Sequence, residues 1–366
     1  MTGPVGIALI GAGRISGQYL DNLTSFPDLD VRVVADLVPE LAQRQAAAYG
    51  IAESGPPELA LSHPDVEIVV NLTVPAVHAE VSLAALRAGK HVWTEKPFAM
   101  SRAEGEAVRA AAAEHGLRVG GAPDTFLGAG LQTAFRLIER GDIGEPRSAL
   151  TLFETPGPVA EHPNLERLLS LGSGPLWDIG PYYLTTLALA LGSFRSVSAV
   201  GRIARPRRVL QVGPKSGQEI TVAVPTYVSL LSEFDTGCTA TSVLSWDSPQ
   251  RREGFLEIAG TEATVSLPDP NHFDGDVRLK RTGDDEWTVV KATGPVAGRG
   301  LGVLDIARSV RAGEPHRASG DLAHHVLDAI VAANESVEQG GPRAVESSAP
   351  RPPAVPETYD PYARTL

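Results

Sequence analysis

Short apolar runs rich in valine and isoleucine alternate with alanine-rich stretches along the first third of the chain. Residues 5–10, 31–35, 66–72, 91–94 and 118–121 read as strands. Between them, residues 18–23, 39–49, 77–88 and 102–115 are rich in helix formers, and Gly50, Gly89 and Gly116 stand where helices would stop. This repeated succession predicts βαβ units, which assemble into a doubly wound parallel sheet.

After about Pro123 the rhythm changes. One helical stretch, 131–140, precedes β-prone runs at 148–153, 196–202, 228–234, 239–246, 255–259, 277–280 and 287–290. Many strands with few helices between them predict a largely antiparallel open sheet flanked by helices. A helix at about 176–191 interrupts the runs, and helices at 303–312 and 322–338 follow. In the last, Leu322, Val326, Ile330 and Ala333 share one face, which predicts packing against a core. The proline-rich stretch 349–356 cannot be helical, so 347–366 is expected to form an extended tail.

Composition narrows the class. With 366 residues the chain is long enough for two domains, and 43% hydrophobic against 21% charged residues excludes a disordered chain. A net charge of −12 offers no basic face to a nucleic acid or an anionic membrane. The single cysteine, Cys238, cannot form an internal disulfide, and no apolar run approaches the roughly 20 residues of a membrane span. Without a leader pattern at the N-terminus, a cytoplasmic protein is expected. No His, Cys and carboxylate cluster has metal-ligand spacing, so no metal is expected.

The first strand runs into Gly11-Ala12-Gly13-Arg14-Ile15-Ser16, where a helix begins. Glycine at 11 permits a tight turn, and glycine at 13 lets the backbone approach a pyrophosphate at the helix N-terminus. Alone, this pattern also describes an ordinary strand-to-helix turn, and its third glycine is replaced by Ser16. Asp36, at the end of the second strand, adds the context. A carboxylate there accepts hydrogen bonds from ribose hydroxyls and repels a 2′-phosphate, which favours NAD and leaves NADP as the alternative. The expected cofactor contacts are Gly11, Gly13, Arg14, Ile15 and Asp36, within an NAD-binding Rossmann domain at 1–123.

Strand 91–94 ends in Glu95-Lys96-Pro97, at the sheet edge where open α/β folds bind ligands. A lysine beside a nicotinamide can hydrogen-bond a reacting hydroxyl and exchange its proton once its pKa is lowered; position alone favours an ordinary solvated surface lysine. The run from Ala88 to Pro97, with Val74-Pro75 and His78 before it, resembles the signature of the glucose–fructose oxidoreductase / inositol dehydrogenase / MocA family. So do the stretches 137–146 and 172–180. The resemblance implies that Lys96 contacts both substrate and nicotinamide, that the region of Thr73, His78 and Glu95 lies near the cofactor, and that Asp178 faces the nicotinamide. Many members carry a histidine four residues after that aspartate; here Tyr182 stands in its place. On one helix the i, i+4 spacing puts Asp178 and Tyr182 on the same face. Lys96 and Tyr182 are then expected to handle the proton and Asp178 to orient the substrate.

Asp124, Glu154 and His162 fall in loop-like positions of an α+β substrate domain at 124–346 and are candidates for binding sugar hydroxyls, or are solvated loop residues. The expected activity is hydride transfer between nicotinamide and a secondary hydroxyl or ketone of a sugar, glycoside or cyclitol. The alternatives are NAD-dependent glycoside cleavage through transient oxidation, and a non-catalytic NAD-binding regulator. The open sheet face is expected to pair with other copies, giving a homodimer or homotetramer.

Overall fold

A computed structural model describes residues 3–366. The chain divides into two compact units. The first comprises the chain up to Gln132 together with Thr293–Leu327 and Pro352–Leu366; the second comprises Thr133–Ala292 and Asp328–Arg351.

In the first unit β1 (Val5–Ile10), β2 (Leu29–Ala35), β3 (Glu53–Gly55), β4 (Ile68–Asn71), β5 (His91–Thr94) and β6 (Val119–Gly121) form one parallel sheet in the order β3-β2-β1-β4-β5-β6. The strand order reverses between β1 and β4, which opens a crevice at their carboxyl ends. Helices α1 (Ser16–Leu23), α2 (Pro39–Tyr49), α3 (Pro57–Ser62), α4 (His78–Arg87) and α5 (Arg102–Glu114) make the crossovers. Every residue of β1 and β4 is buried, so these strands read as continuous apolar runs instead of alternating ones.

The second unit is built on β7 (Pro146–Glu154), β8 (Phe194–Arg202), β11 (Tyr227–Phe234), β12 (Thr239–Ser245), β13 (Arg252–Gly260), β14 (Ala263–Leu267), β15 (Val277–Arg281), β16 (Thr288–Val290) and β17 (Arg343–Ala344), in the order β16-β15-β14-β13-β7-β12-β11-β8-β17. The sheet is antiparallel except where β7 runs parallel to β12. A separate hairpin, β9 (Arg207–Val209) with β10 (Glu219–Thr221), contributes Leu210 and Val222 to a small core with Leu165, Leu169 and Trp246. That core forms around α7 (Leu165–Leu168). Further helices are α6 (Ala129–Glu139), α8 (Gly174–Asp178), α9 (Gly180–Leu191) and α11 (Gly320–Gln339), and α9 is buried at every residue against the sheet. The single helix expected at about 176–191 is thus two. Pro181 has no N–H to give the Trp177 carbonyl and its ring crowds that turn, so the chain breaks at Ile179 (φ −106°, ψ −35°). Among the described residues no helix is long and apolar enough to cross a membrane.

Helix α10 (Leu301–Ala312) belongs to the first unit although it follows the second unit's strands in sequence. Gly302 has no side chain, and the buried Trp93 indole occupies the space a Cβ would need. The Gly300 and Gly302 amides donate to Asp124 Oδ2 at 2.9 and 3.0 Å. At the far end of α10, Arg311 grips both oxygens of Glu67 at 2.7 and 2.6 Å. The C-terminal segment returns to the same unit: the Thr365 and Leu366 amides donate to Asp28 Oδ1 at 2.8 and 3.0 Å, and Arg308 Nε to Asp28 Oδ2 at 2.8 Å.

Asp124 is fully buried, and burial pushes its carboxyl up to about 6 against the downward pull of the two glycine amides and Arg299. Between the ordinary value of 3.8 and about 6, the folded chain keeps a proton that the unfolded chain has released. Holding Asp124 ionised therefore costs stability progressively as pH rises through that window, at about 1.4 kcal/mol per unit, and by the full amount above it. Asp124→Asn keeps an acceptor for both amides and does not titrate. The difference in Tm, wild type minus Asp124→Asn, should fall from about pH 4 to about pH 7; a flat difference in a thermal-melt series contradicts the buried, titrating carboxyl.

Candidate functional site

The glycine loop leaves β1 at Gly11, whose φ of +105° suits a residue without a side chain; a Cβ there would also collide with the Leu72–Thr73 backbone. At Gly13 a Cβ would meet nothing within 4 Å, so open space stands beside the backbone as α1 begins. Ser16, where a third glycine was absent, is fully buried; its hydroxyl donates to the Gly13 carbonyl at 2.6 Å and accepts from Gln45 Nε2 at 2.9 Å. The serine therefore closes the turn with a hydrogen bond of its own. Arg14 is exposed and Ile15 half-buried on the same turn.

Asp36 sits at the end of β2 and locks to this loop: Oδ2 accepts the Ala12 amide at 2.7 Å and Oδ1 the Val38 amide at 2.8 Å. Each oxygen keeps a further lone pair for a ribose hydroxyl. The open space at Gly13, the amides of the α1 N-terminus and this carboxylate fit a dinucleotide with its pyrophosphate on the loop and its adenosine ribose on Asp36.

Beyond β4, Asn71 organises the next loop. Completely buried, it donates from Nδ2 to the His78 carbonyl at 2.9 Å and to Ser82 Oγ at 3.1 Å, and its Oδ1 accepts the Thr73 hydroxyl at 2.6 Å. Thr73 is half-buried at the carboxyl edge. His78 differs from the expected cofactor contact. It is 1% exposed, with Nδ1 2.7 Å from the Pro97 carbonyl and Nε2 3.0 Å from the Thr73 carbonyl, so both ring nitrogens face backbone. A neutral imidazole carries a single N–H and so donates to one of these two carbonyls at a time, while both nitrogens are turned toward backbone. Burial pushes its pKa down, opposed by the two carbonyls and Glu95, with Lys96 adding to the downward push.

Glu95 is nearly buried and Lys96 half-buried at the end of β5. Glu95 does not face solvent as a cofactor contact: Oε1 accepts the Tyr19 hydroxyl at 2.9 Å and Oε2 the Lys96 amide at 2.8 Å. Asp124 does fall in a loop, after β6, but it belongs to the first unit and is fully buried, its Oδ2 accepting the amides at the start of α10. The first unit thus gathers Gly11, Gly13, Asp36, Thr73 and Lys96 along one sheet edge.

Asp178, Tyr182, Glu154 and His162 belong to the second unit. Asp178 is half-buried as the last residue of α8, while Tyr182 is 5% exposed in the first turn of α9. A one-residue break at Ile179 lies between them, so they belong to two successive helices and not to one. Glu154 ends β7 and pairs with Arg252 at 3.1 Å, and His162 Nδ1 accepts the Asn164 amide at 3.1 Å in the turn before α7. Sequence reasoning passed over Tyr19 and Asn71. A polar residue closing the apolar run 68–71 was the visible signal for Asn71; nothing local marks Tyr19.

Two family models match the chain: one described as an oxidoreductase family with an NAD-binding Rossmann fold, over residues 5–121, and one described as the GFO/IDH/MocA C-terminal domain, over residues 131–266. Levoglucosan dehydrogenase of Pseudarthrobacter phenanthrenivorans is 29% identical over 65% of this chain and 65% of its own. The scyllo-inositol 2-dehydrogenase (NAD(+)) of Bacillus subtilis is 26% identical over 72% of this chain and 74% of its own. The chain matches only part of these relatives' length, 36% of a 4-carboxy-2-hydroxymuconate-6-semialdehyde dehydrogenase of Sphingobium and 65% of the levoglucosan enzyme. Among solved structures, levoglucosan dehydrogenase in complex with NADH and levoglucosan shares the fold at a TM-score of 0.82, with 23% identity over 94% of this chain and all of that one. With both of its domains matched by that family's models, the chain belongs to the Gfo/Idh/MocA family of oxidoreductases.

Proposed function

We propose that the chain is an NAD-dependent dehydrogenase or ketoreductase that moves a hydride between nicotinamide and a secondary hydroxyl or ketone of a sugar, glycoside or cyclitol. The observation that carries this reading is Lys96, fixed at the end of β5 on the same sheet edge as the glycine loop and Asp36. Relatives named for levoglucosan and scyllo-inositol support the substrate class. When bound, NAD supplies the hydride acceptor, and the protein supplies orientation and proton transfer. In this reading Lys96 hydrogen-bonds the reacting oxygen and, with Tyr182, takes or returns its proton. Asp178 orients the substrate hydroxyl or the lysine, with Glu154 and His162 as the candidates for further hydroxyl contacts.

The assembly proposed is a homodimer or homotetramer in the cytoplasm. On the open face of the second unit, strand register lines up Ser198, Leu231, Thr241, Leu150 and Glu257 across five strands. Leu231 is 54% and Leu150 41% exposed in the middle of that row, a surface suited to pairing with a second copy. Leu231→Asp should convert the oligomer to monomer in light scattering, and an unchanged mass removes this face from the assembly.

A spectrophotometric screen of sugars and cyclitols, including levoglucosan and scyllo-inositol, with NAD⁺ and NADP⁺ tests the activity directly. Net NADH formation is expected, and glycoside cleavage without it sinks the dehydrogenase reading. In the same assay Lys96→Met and Tyr182→Phe should each lower kcat at least about 100-fold, the lower end of what lost proton transfer costs; near-normal rates for both remove the assignment. Asp36→Ala should raise KM for NAD⁺ about 10- to 100-fold, the loss of hydrogen bonds to a charged group, and narrow the preference over NADP⁺; unchanged KM values place the ribose elsewhere.

A further inference from the structure

Lys96 takes its place from the residue before it. Glu95 is 8% exposed, yet its carboxylate is engaged at both oxygens, Oε2 by the Lys96 amide at 2.8 Å and Oε1 by the Tyr19 hydroxyl at 2.9 Å. Tyr19 lies completely buried on α1, and its hydroxyl oxygen accepts the Trp93 indole N–H at 3.1 Å. With an incoming donor from Trp93 and an acceptor at Glu95, that hydroxyl has one orientation open to it. Burial, then the charges of Glu95 and Asp124, push the Tyr19 phenol well above its ordinary range, so it stays a donor at any working pH.

The elements joined are the ones the reaction has to keep in register. Helix α1 begins on the glycine loop, and Trp93 and Glu95 flank the end of β5. On the other side of the tripeptide, His78 holds the Pro97 carbonyl at 2.7 Å. Hydrogen bonds to a buried carboxylate are short and about twice as strong as neutral ones, so the Lys96 backbone cannot swing without breaking one.

We infer that Tyr19 is a positioning residue for hydride transfer: acting through Glu95, it holds the Lys96 backbone, and with it the lysine amine, in register with the helix that carries the dinucleotide. This rests on the assignment of Lys96 made above.

Tyr19→Phe keeps the ring and removes only the hydroxyl; Glu95→Gln keeps the Tyr19 hydroxyl and an acceptor for it while presenting an amide N–H₂ to the Lys96 N–H. Both should lower kcat about 10- to 100-fold, with the Kd for NADH, read by protein fluorescence, moving less than about threefold. A second readout needs no turnover. The chain has five lysines, Lys90, Lys96, Lys215, Lys280 and Lys291, so a side-chain-labelled NMR spectrum is simple, and the Lys96 signal is the one lost in Lys96→Met. In Tyr19→Phe and Glu95→Gln that signal should shift while the other four stay. A merely structural hydroxyl would lower Tm and leave both kcat and the Lys96 signal unmoved, and that result overturns the inference, as does a loss confined to NADH affinity. A wild-type rate in Lys96→Met overturns the catalytic assignment itself, whereas a silent Tyr19→Phe beside an inactive Lys96→Met overturns the positioning alone. Should Tyr19→Phe not fold, Glu95→Gln decides by the same readings.

Discussion

A carboxylate taken out of water has to be met by donors, and Glu95 and Asp124 are among those buried in the first unit. The donors come from places the local sequence does not connect. Glu95 is met by a hydroxyl on α1 and by the next amide in its own chain. Asp124 is met by the first amides of α10, nearly 180 positions further on. These pairings dictate that Trp93 and Tyr19 pack together, that residue 302 has no side chain, and that the first unit is completed by Thr293–Leu327. Through Glu95 the same network also holds the Lys96 amide.

The parallel sheet was legible because its strands are buried on both faces and its helices carry their own stop signals. All five strands expected for it match observed elements to within two residues at each end, and the short β3 was not expected. The glycine loop and Asp36 were legible for a similar reason: their chemistry depends on residues close in sequence or at the ends of adjacent strands. Asp124 was not, since an aspartate between Pro123 and Thr125 has the composition of a loop, and only its distant partners show that it is core. His78 failed for the same cause, because the carbonyls of Thr73 and Pro97 leave no trace in side-chain pattern.

The second unit was legible in class and less so in detail. Alternating burial in β11 and β12 marks a sheet with one covered face, and it appears in the sequence as period-two patterning. The parallel β7–β12 pair has no such signature, because pairing direction is set by connectivity. Pro181 was visible, but a proline is tolerated in the first turn of a helix, so its position alone does not say whether a helix begins or continues there. In the folded chain it starts α9, and Asp178 and Tyr182 consequently sit on either side of a break. Membership of a family whose scaffold hosts many substrates leaves the reaction to be argued from these side chains.

Hydride transfer at Lys96 requires a dinucleotide lying along the carboxyl edge of the parallel sheet with its reactive ring at that lysine. A crystal structure of the full chain grown with NADH tests this most directly. The account predicts the pyrophosphate against the Gly13 backbone, a ribose on Asp36, and the nicotinamide in contact with the Lys96 amine. An ordered dinucleotide whose nicotinamide lies away from Lys96, or a crevice left empty at saturating NADH, would contradict it.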